Sequence, residues 1–353
     1  MQKDFFSKEH IVSNRFHTSS ELAEQAVHCL ELVSELSDAG LDYQFKGGNS
    51  LLLILDTPQR FSIDVDIATD AAIDEVETIL TGIIEKYGIF SRWEKRQHKT
   101  KPWIALSSYY CYYNSKVSSN DDTNIMLDVQ LNKSPYRCER KRVVCGSLYE
   151  SDNLVTLPLP ASIIGDKLLT LGPKTLGIPV GKGKGAQRLK HVFDVSQLLA
   201  MEPSLEGIRE SFQQCLDFEN SLQKRTLAMS TVIRDTLVNC YSVVHYSEPP
   251  GNVCDSLLQE HREGLQPFSD HLFRESYTWK DLQLDMARIA CCITAVGLKN
   301  VSGEQFQRIF SDENYTVADQ SVSFLQEHAA ARRYWDCVSS WKDSDQLFDG
   351  SLR

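Results

Sequence analysis

The sequence predicts an α+β fold, with a mixed sheet and helices over residues 1–155 and a mainly helical domain over 156–353. Three observations predict it. Alternating apolar and polar runs, the mark of half-buried strands, are confined to the first half of the chain. Pro158 and Pro160 then punctuate the sequence, and beyond them strand patterns nearly vanish. The length, 353 residues, exceeds what one average core supports.

Taken in order, residues 17–40 place Leu22, Ala26, Leu30, Val33 and Leu36 on one helical stripe. Ser19 or Ser20 can cap its start, and Gly40 lies at its end. A short strand, LDYQFKG, follows and runs into the turn GGNS. Leu51 to Leu55 read as a buried helix opening from that turn, RFSIDVDIAT as a strand, and residues 73–87 as a helix. KPWIALSSYYCYYNSK and IMLDVQLN, joined by the polar VSSNDDTN, read as a hairpin. A helix is expected from Ala161 or Ser162, then further helices over 206–244 and 279–296. In the last of these Met286, Ile289, Ile293 and Val296 share a face. The cluster RRYW at 332–335 reads as the end of a core helix, with a stacking or partner site as the alternative.

Composition excludes several classes. At 42% hydrophobic and 24% charged the chain is an ordinary folded protein, without a signal-peptide run or a membrane-length apolar stretch. Its ten cysteines form no CxxC pair, so reduced thiols in a cytoplasm are expected rather than staples or structural zinc. A net charge of −11 argues against general nucleic-acid binding. Two basic segments break that trend, KSPYRCERKR at 133–142 and GKGKGAQRLK at 181–190. A monomer is expected.

The chemistry concentrates between residues 46 and 67, KGGNSLLLILDTPQRFSIDVDI. Strand side chains alternate, so Asp64 and Asp66 project to one face while Ile63, Val65 and Ile67 enter the core. In IMLDVQLN, Asp128 opposes an apolar face made by Ile125, Leu127, Val129 and Leu131. Crowded carboxylates repel unless protonated or bridged by a cation. Magnesium suits such oxygens, taking one or two carboxylates together with substrate phosphates. Gly47 and Gly48 allow a close backbone approach to a phosphate, and a helix beginning near Ser50 would present free amides and a hydroxyl. A bare glycine turn or an exposed strand aspartate is commonplace; the combination, in this order and on these faces, is not.

GGNS followed by RFSIDVD resembles the glycine–serine and RxSxDxD signature of the DNA polymerase β-like nucleotidyltransferases. More narrowly, the chain is similar to the AbiEii/AbiGii toxins, the family that includes the MenT toxins. The resemblance implies a polymerase β-like core followed by a helical domain. It implies that Asp64 and Asp66 are catalytic and bind magnesium, with manganese as the alternative ion. Asp128 would complete the metal site in the polymerase β-like pattern. Gly47, Gly48, Asn49 and Ser50 would hold the nucleotide, with Asn49 standing where threonine is more usual. The family's helix-start lysine corresponds to Lys167, in an apolar stripe with Ile163, Ile164, Leu168 and Leu171. Its later helix aspartate corresponds to Asp194, although His191 replaces the usual first acid.

The function these expectations describe is transfer of a nucleotide from an NTP to RNA, at the 3′ end of a tRNA, by a toxin of a toxin–antitoxin or phage-defence system, with a cognate antitoxin as a candidate partner. Lys182, Lys184, Arg188 and Lys190 are the candidate RNA-binding rim. The alternatives are transfer to a small hydroxylated acceptor or a protein, and a nucleotide-binding interaction protein that transfers nothing.

Overall fold

A computed structural model describes residues 4–13, 19–96, 105–119, 122–248, 255–273, 276–317 and 324–341. The chain divides into two compact units, one of residues 1–159 with 271–275, the other of 160–270 with 276–353. The boundary expected at 155/156 therefore falls inside a strand. That strand continues to Pro158 because Val155 and Leu157 are buried in the sheet.

The first unit is built on seven strands: β1 (Tyr43–Lys46), β2 (Asp64–Thr69), β3 (Phe90–Arg96), β4 (Leu106–Tyr113), β5 (Asn124–Gln130), β6 (Cys138–Cys145) and β7 (Tyr149–Pro158). Their order across the sheet is β3-β4-β5-β2-β1-β7-β6. Pairing is mixed: β2 runs parallel to β5 and antiparallel to β1, while β1 runs parallel to β7. Phe45, Val65, Ile67, Leu127 and Val129 are fully buried on one face of the sheet. Against the sheet pack α2 (Ser20–Asp38) and α4 (Ile73–Tyr87). A short α1 (Lys8–Val12) packs on α2.

Ser19 caps α2, its hydroxyl accepting from the Leu22 amide, as the sequence suggested. Residues 17 and 18 of that expected helix lie outside the described residues. So do 101–104 of the first hairpin strand and 120–121 of its turn; the β4–β5 pairing itself is antiparallel, as a hairpin requires. The strand expected over 60–69 begins only at Asp64, because Gln59 to Phe61 pair with a distant segment instead. The Phe61 amide donates to the His271 carbonyl at 3.2 Å, and the Phe273 amide to Gln59 at 2.9 Å. The Phe61 and Phe273 rings meet edge to face, 4.4 Å apart.

The second unit is helical among the described residues: α5 (Pro160–Leu169), α6 (Gly185–Leu199), α7 (Leu205–Gln223), α8 (Met229–Val244), α9 (Ser256–Ser269), α10 (Trp279–Gly297), α11 (Gly303–Ser311) and α12 (Ala329–Ser340). Pro160 opens α5, one residue ahead of expectation, in a position where its missing amide proton costs nothing. Met286, Ile289 and Ile293 are fully buried on α10, and Tyr334 and Trp335 are buried on α12. No helix is long and apolar enough to cross a membrane among the described residues. Nine cysteines are free thiols; Cys254 lies outside the described residues.

Candidate active site

Strand register aligns four polar residues across the sheet. Lys46 on β1 opposes Asp66 on β2, Asp66 opposes Asp128 on β5, and Asp128 opposes Ser108 on β4. Residues directly opposite share a face, and neighbouring strands lie about 4.8 Å apart, so Asp66 and Asp128 are immediate neighbours. Asp64, two residues before Asp66, lies on the same face one row away. The Ser108 hydroxyl donates to Asp128 Oδ1. The two strand patterns read from sequence thus meet in register.

The glycine turn is fitted to this row. Gly47 has φ +73°, and a Cβ built on it would fall 1.9 Å from Asp66 Oδ2 and 2.8 Å from Asp66 Cβ. The backbone and the carboxylate occupy the space that any other side chain needs. Gly48 meets the other half of the signature: a Cβ there would lie 2.6 Å from Arg60 Nη2 and 3.0 Å from Ser62 Oγ. The arginine and serine of RFSIDVD therefore fold over the second glycine, which gives the spaced signature a steric reason. Arg60 is buried, and its Nη1 donates to the Phe61 carbonyl. The β-bridge between Arg60 and Leu272 fixes the backbone that carries it.

Two of the four turn residues are placed differently from expectation. Ser50 is fully buried, and its hydroxyl donates to the Gly47 carbonyl at 2.9 Å. It closes the turn and does not serve as an outward donor. Asn49 is also fully buried, and its side chain reaches a thiol rather than an oxygen or nitrogen partner. Its neighbour is Cys29, whose thiol burial and the nearby Asp64 carboxylate push well above the usual range. The helix after the turn, α3 (Leu51–Ile54), is a single turn. The Ser50 and Asn49 side chains are thus turned inward, which leaves the backbone of the turn as the part of the expected phosphate cradle that faces outward.

In the helical unit Lys167 Nζ donates to Asp194 Oδ2 at 3.0 Å, with side chains 11% and 2% exposed. The structure thus joins the two residues that the resemblance singled out separately. His191, in place of the usual first acid, hydrogen-bonds through Nδ1 to Thr170 Oγ1 at 2.7 Å. The basic loop divides. Lys182 and Lys184 are exposed and Lys190 is half-buried, whereas Arg188 is buried and ion-paired with Glu260 on α9 at 3.1 Å. Arg188 is therefore withdrawn from the rim that the sequence assigned it to. Glu260 Oε1 accepts from the amides of Gly181, Lys182 and Gly183 at 2.7, 3.0 and 3.3 Å. Burial alone would raise the Glu260 pKa; these amides and Arg188 outweigh it and hold the carboxyl below its usual 4.5.

Comparison with known proteins agrees with the geometry. The family whose sequence model matches residues 31–284 is described as the nucleotidyl transferase AbiEii toxin, type IV toxin–antitoxin system. The chain belongs to this AbiEii family. It is accordingly a nucleotidyltransferase toxin of that class, and the row of carboxylates beside the glycine turn lies within the matched residues. Among solved structures, the chain is similar to MenT4, a nucleotidyltransferase toxin from Mycobacterium tuberculosis H37Rv, at 14% identity and TM-score 0.41, covering 82% of this chain and 96% of that one. It is also similar to an antigenic nucleotidyltransferase-like protein from Paracoccidioides brasiliensis, at 14% identity and TM-score 0.35, covering 61% and 97%. No curated protein sequence matches the chain.

Among the described residues no group of three or more His, Cys, Asp or Glu side chains is placed to hold a metal ion by itself. The donor set suits a hard divalent cation held partly by substrate: carboxylates from two adjacent strands, open on one side, with Asp66 pressed against the glycine backbone. Magnesium takes one or two carboxylates and completes its shell with phosphates and water.

Proposed function

We propose that this AbiEii protein transfers a nucleoside monophosphate from an NTP to the 3′ end of a tRNA, and that a cognate antitoxin counters it in the cytoplasm. The observation that carries the reading is the approach of Gly47 to Asp66, because it places a naked stretch of backbone beside paired carboxylates. Mg2+, or Mn2+, held by Asp64, Asp66 and Asp128 would neutralise the triphosphate and lower the pKa of the attacking hydroxyl.

The residues divide the remaining work. Gly47 and Gly48 admit the phosphates against the backbone. Asp128 has Oδ1 occupied by Ser108, which leaves Oδ2 toward the acceptor hydroxyl. In the reaction the acceptor oxygen bonds to the α-phosphorus, the bond from that phosphorus to the bridging oxygen breaks, and pyrophosphate departs. Lys167, oriented by Asp194, is the residue to which the family resemblance assigns the triphosphate charge. Positioning and charge stabilisation do most of the catalysis. Lys182, Lys184 and Lys190 offer the acceptor a basic rim on an otherwise acidic chain, which makes binding steeply salt-dependent.

The test is incubation with total RNA and each α-labelled NTP in turn, comparing wild type with Asp66→Ala. Wild type should label one RNA size class with a preferred nucleotide, and the variant none. Equal labelling by both proteins would remove Asp66 from the chemistry, and label entering only small molecules would remove the RNA acceptor.

A further inference from the structure

Lys46 ends β1 directly opposite Asp66, where cross-strand opposite charges ordinarily join. It does not join. Its ammonium donates instead to Gln130 Oε1 at 2.9 Å and to Ser134 Oγ at 3.3 Å, and lies 5.6 Å from the centre of the Tyr136 ring. Gln130 lies on β5 beyond β2, and the register places Ala68 of β2 between the two strands at that level. The methyl of Ala68 leaves room for the lysine stem to cross.

The acceptors around Lys46 are themselves fixed. Gln130 Nε2 donates to the Asn132 carbonyl at 2.6 Å, which turns Oε1 toward the lysine. Ser134 is locked to β1 by Gln44, its amide donating to Gln44 Oε1 at 2.9 Å and its carbonyl accepting from Gln44 Nε2 at 3.0 Å. All of these partners are neutral. They orient the ammonium without cancelling its charge, and two donated hydrogens leave a third for a ligand. The carboxylate row beside it offsets the charge at longer range, and the remaining N–H stays available to a ligand anion.

The direction of Lys46 identifies that anion. β1 runs toward the glycine turn, which lies on the Asp64 side of the Asp66–Asp128 row. Gln130, two residues past Asp128, holds the ammonium on the opposite side. With the triphosphate assigned to the turn, the anion left for the far side is the backbone of the acceptor. We infer that Lys46 is an acceptor-contacting residue whose ammonium binds a backbone phosphate near the 3′ end of the RNA. This inference rests on the proposed RNA-directed transfer.

The experiment compares wild type, Lys46→Met, which keeps the stem, and Lys46→Arg, which keeps the charge. Steady-state transfer is measured with NTP and RNA varied separately, and RNA binding without NTP is followed against salt. In Lys46→Met the KM for RNA should rise about tenfold, the scale of one charge-assisted phosphate contact. The slope of log affinity against log salt should flatten by about 0.7, as for one single-strand phosphate. The KM for NTP should stay put, which also certifies that the variant folds, and Lys46→Arg should recover most of the RNA affinity. An unchanged KM for RNA with an unchanged salt slope would overturn the assignment, as would a rise confined to the KM for NTP. Failure of the wild type itself to label or bind RNA would instead overturn the functional reading beneath it.

Discussion

Gly47 and Gly181 both take positive φ, at +73° and +83°, and both lie in glycine-rich loops beside a carboxylate. At Gly47 the carboxylate is Asp66, from a neighbouring strand, pressed against the backbone so closely that a Cβ has no place. At Gly181 a Cβ would meet nothing within 4 Å, and the carboxylate is Glu260, which takes three successive loop amides for itself. That second carboxylate arrives because α6 and α9 touch backbone to backbone: a Cβ on Gly264 would lie 2.5 Å from the Gly185 carbonyl carbon. In the first loop the carboxylate fills the space of a missing side chain; in the second it takes three loop amides as donors. Glycine content alone does not distinguish a binding loop from a structural one. What differs is what the carboxylate meets, side-chain space at Gly47 and backbone amides at Gly181.

This contrast can be broken most forcefully at the first loop. Gly47→Ala must displace the Cβ of Asp66 as well as its flexible carboxylate, so transfer should fall by about 10²-fold or more, in line with misplacement of a catalytic group by an ångström. Gly181→Ala bears only the left-handed backbone cost, about 1 kcal/mol, and should transfer at near the wild-type rate. Comparable losses of transfer in both variants would erase the distinction.

The next largest effect is on stability. Glu260→Gln breaks a buried ion pair and weakens three amide contacts, and should cost about 3 kcal/mol in denaturant unfolding. Because the folded pKa of Glu260 lies below its usual 4.5, its contribution is complete above that value and is lost as pH falls through the lower folded one. The variant should lack that part of the acid limb. The KM for NTP should not change; if it does, Glu260 serves the nucleotide as well as the loop.

The smallest effect returns to the first turn. Asn49 carries a planar amide in a fully buried position, with the weak Cys29 thiol as its hydrogen-bonding neighbour. Asn49→Thr exchanges it for one rotatable hydroxyl and should raise stability by about 1 kcal/mol. A lowered unfolding midpoint would show that the amide's contact with the Cys29 thiol outweighs the cost of burying it.

Much of the active-site layout was legible before the fold was known. Alternation in RFSIDVDIAT and in IMLDVQLN assigned Asp64, Asp66 and Asp128 their faces, since strand periodicity is a local property. Register was not local, and only the sheet shows that Asp66 and Asp128 are direct neighbours. The hairpin β6–β7 went unread because β6 is an edge strand; most of its residues face water to some degree, so ERKRVV shows a charge run where alternation was sought. The segment at 271–273, Glu260 under the basic loop, and the Lys167–Asp194 pair all join residues far apart in sequence. Nothing in the flanking residues announces such partners. Ser50 shows the converse limit: its position was anticipated, but its hydroxyl is used within the turn.

The most direct test of the account is the single-turnover rate of label transfer from NTP to RNA in Asp128→Asn, beside Ser108→Ala. The pairing of Asp128 with Asp66 across β2 and β5 predicts a loss of about 10²–10³-fold for Asp128→Asn, with Ser108→Ala keeping most of the activity. Wild-type transfer by Asp128→Asn would contradict the account, since chemistry would then proceed without the carboxylate that the sheet sets beside Asp66.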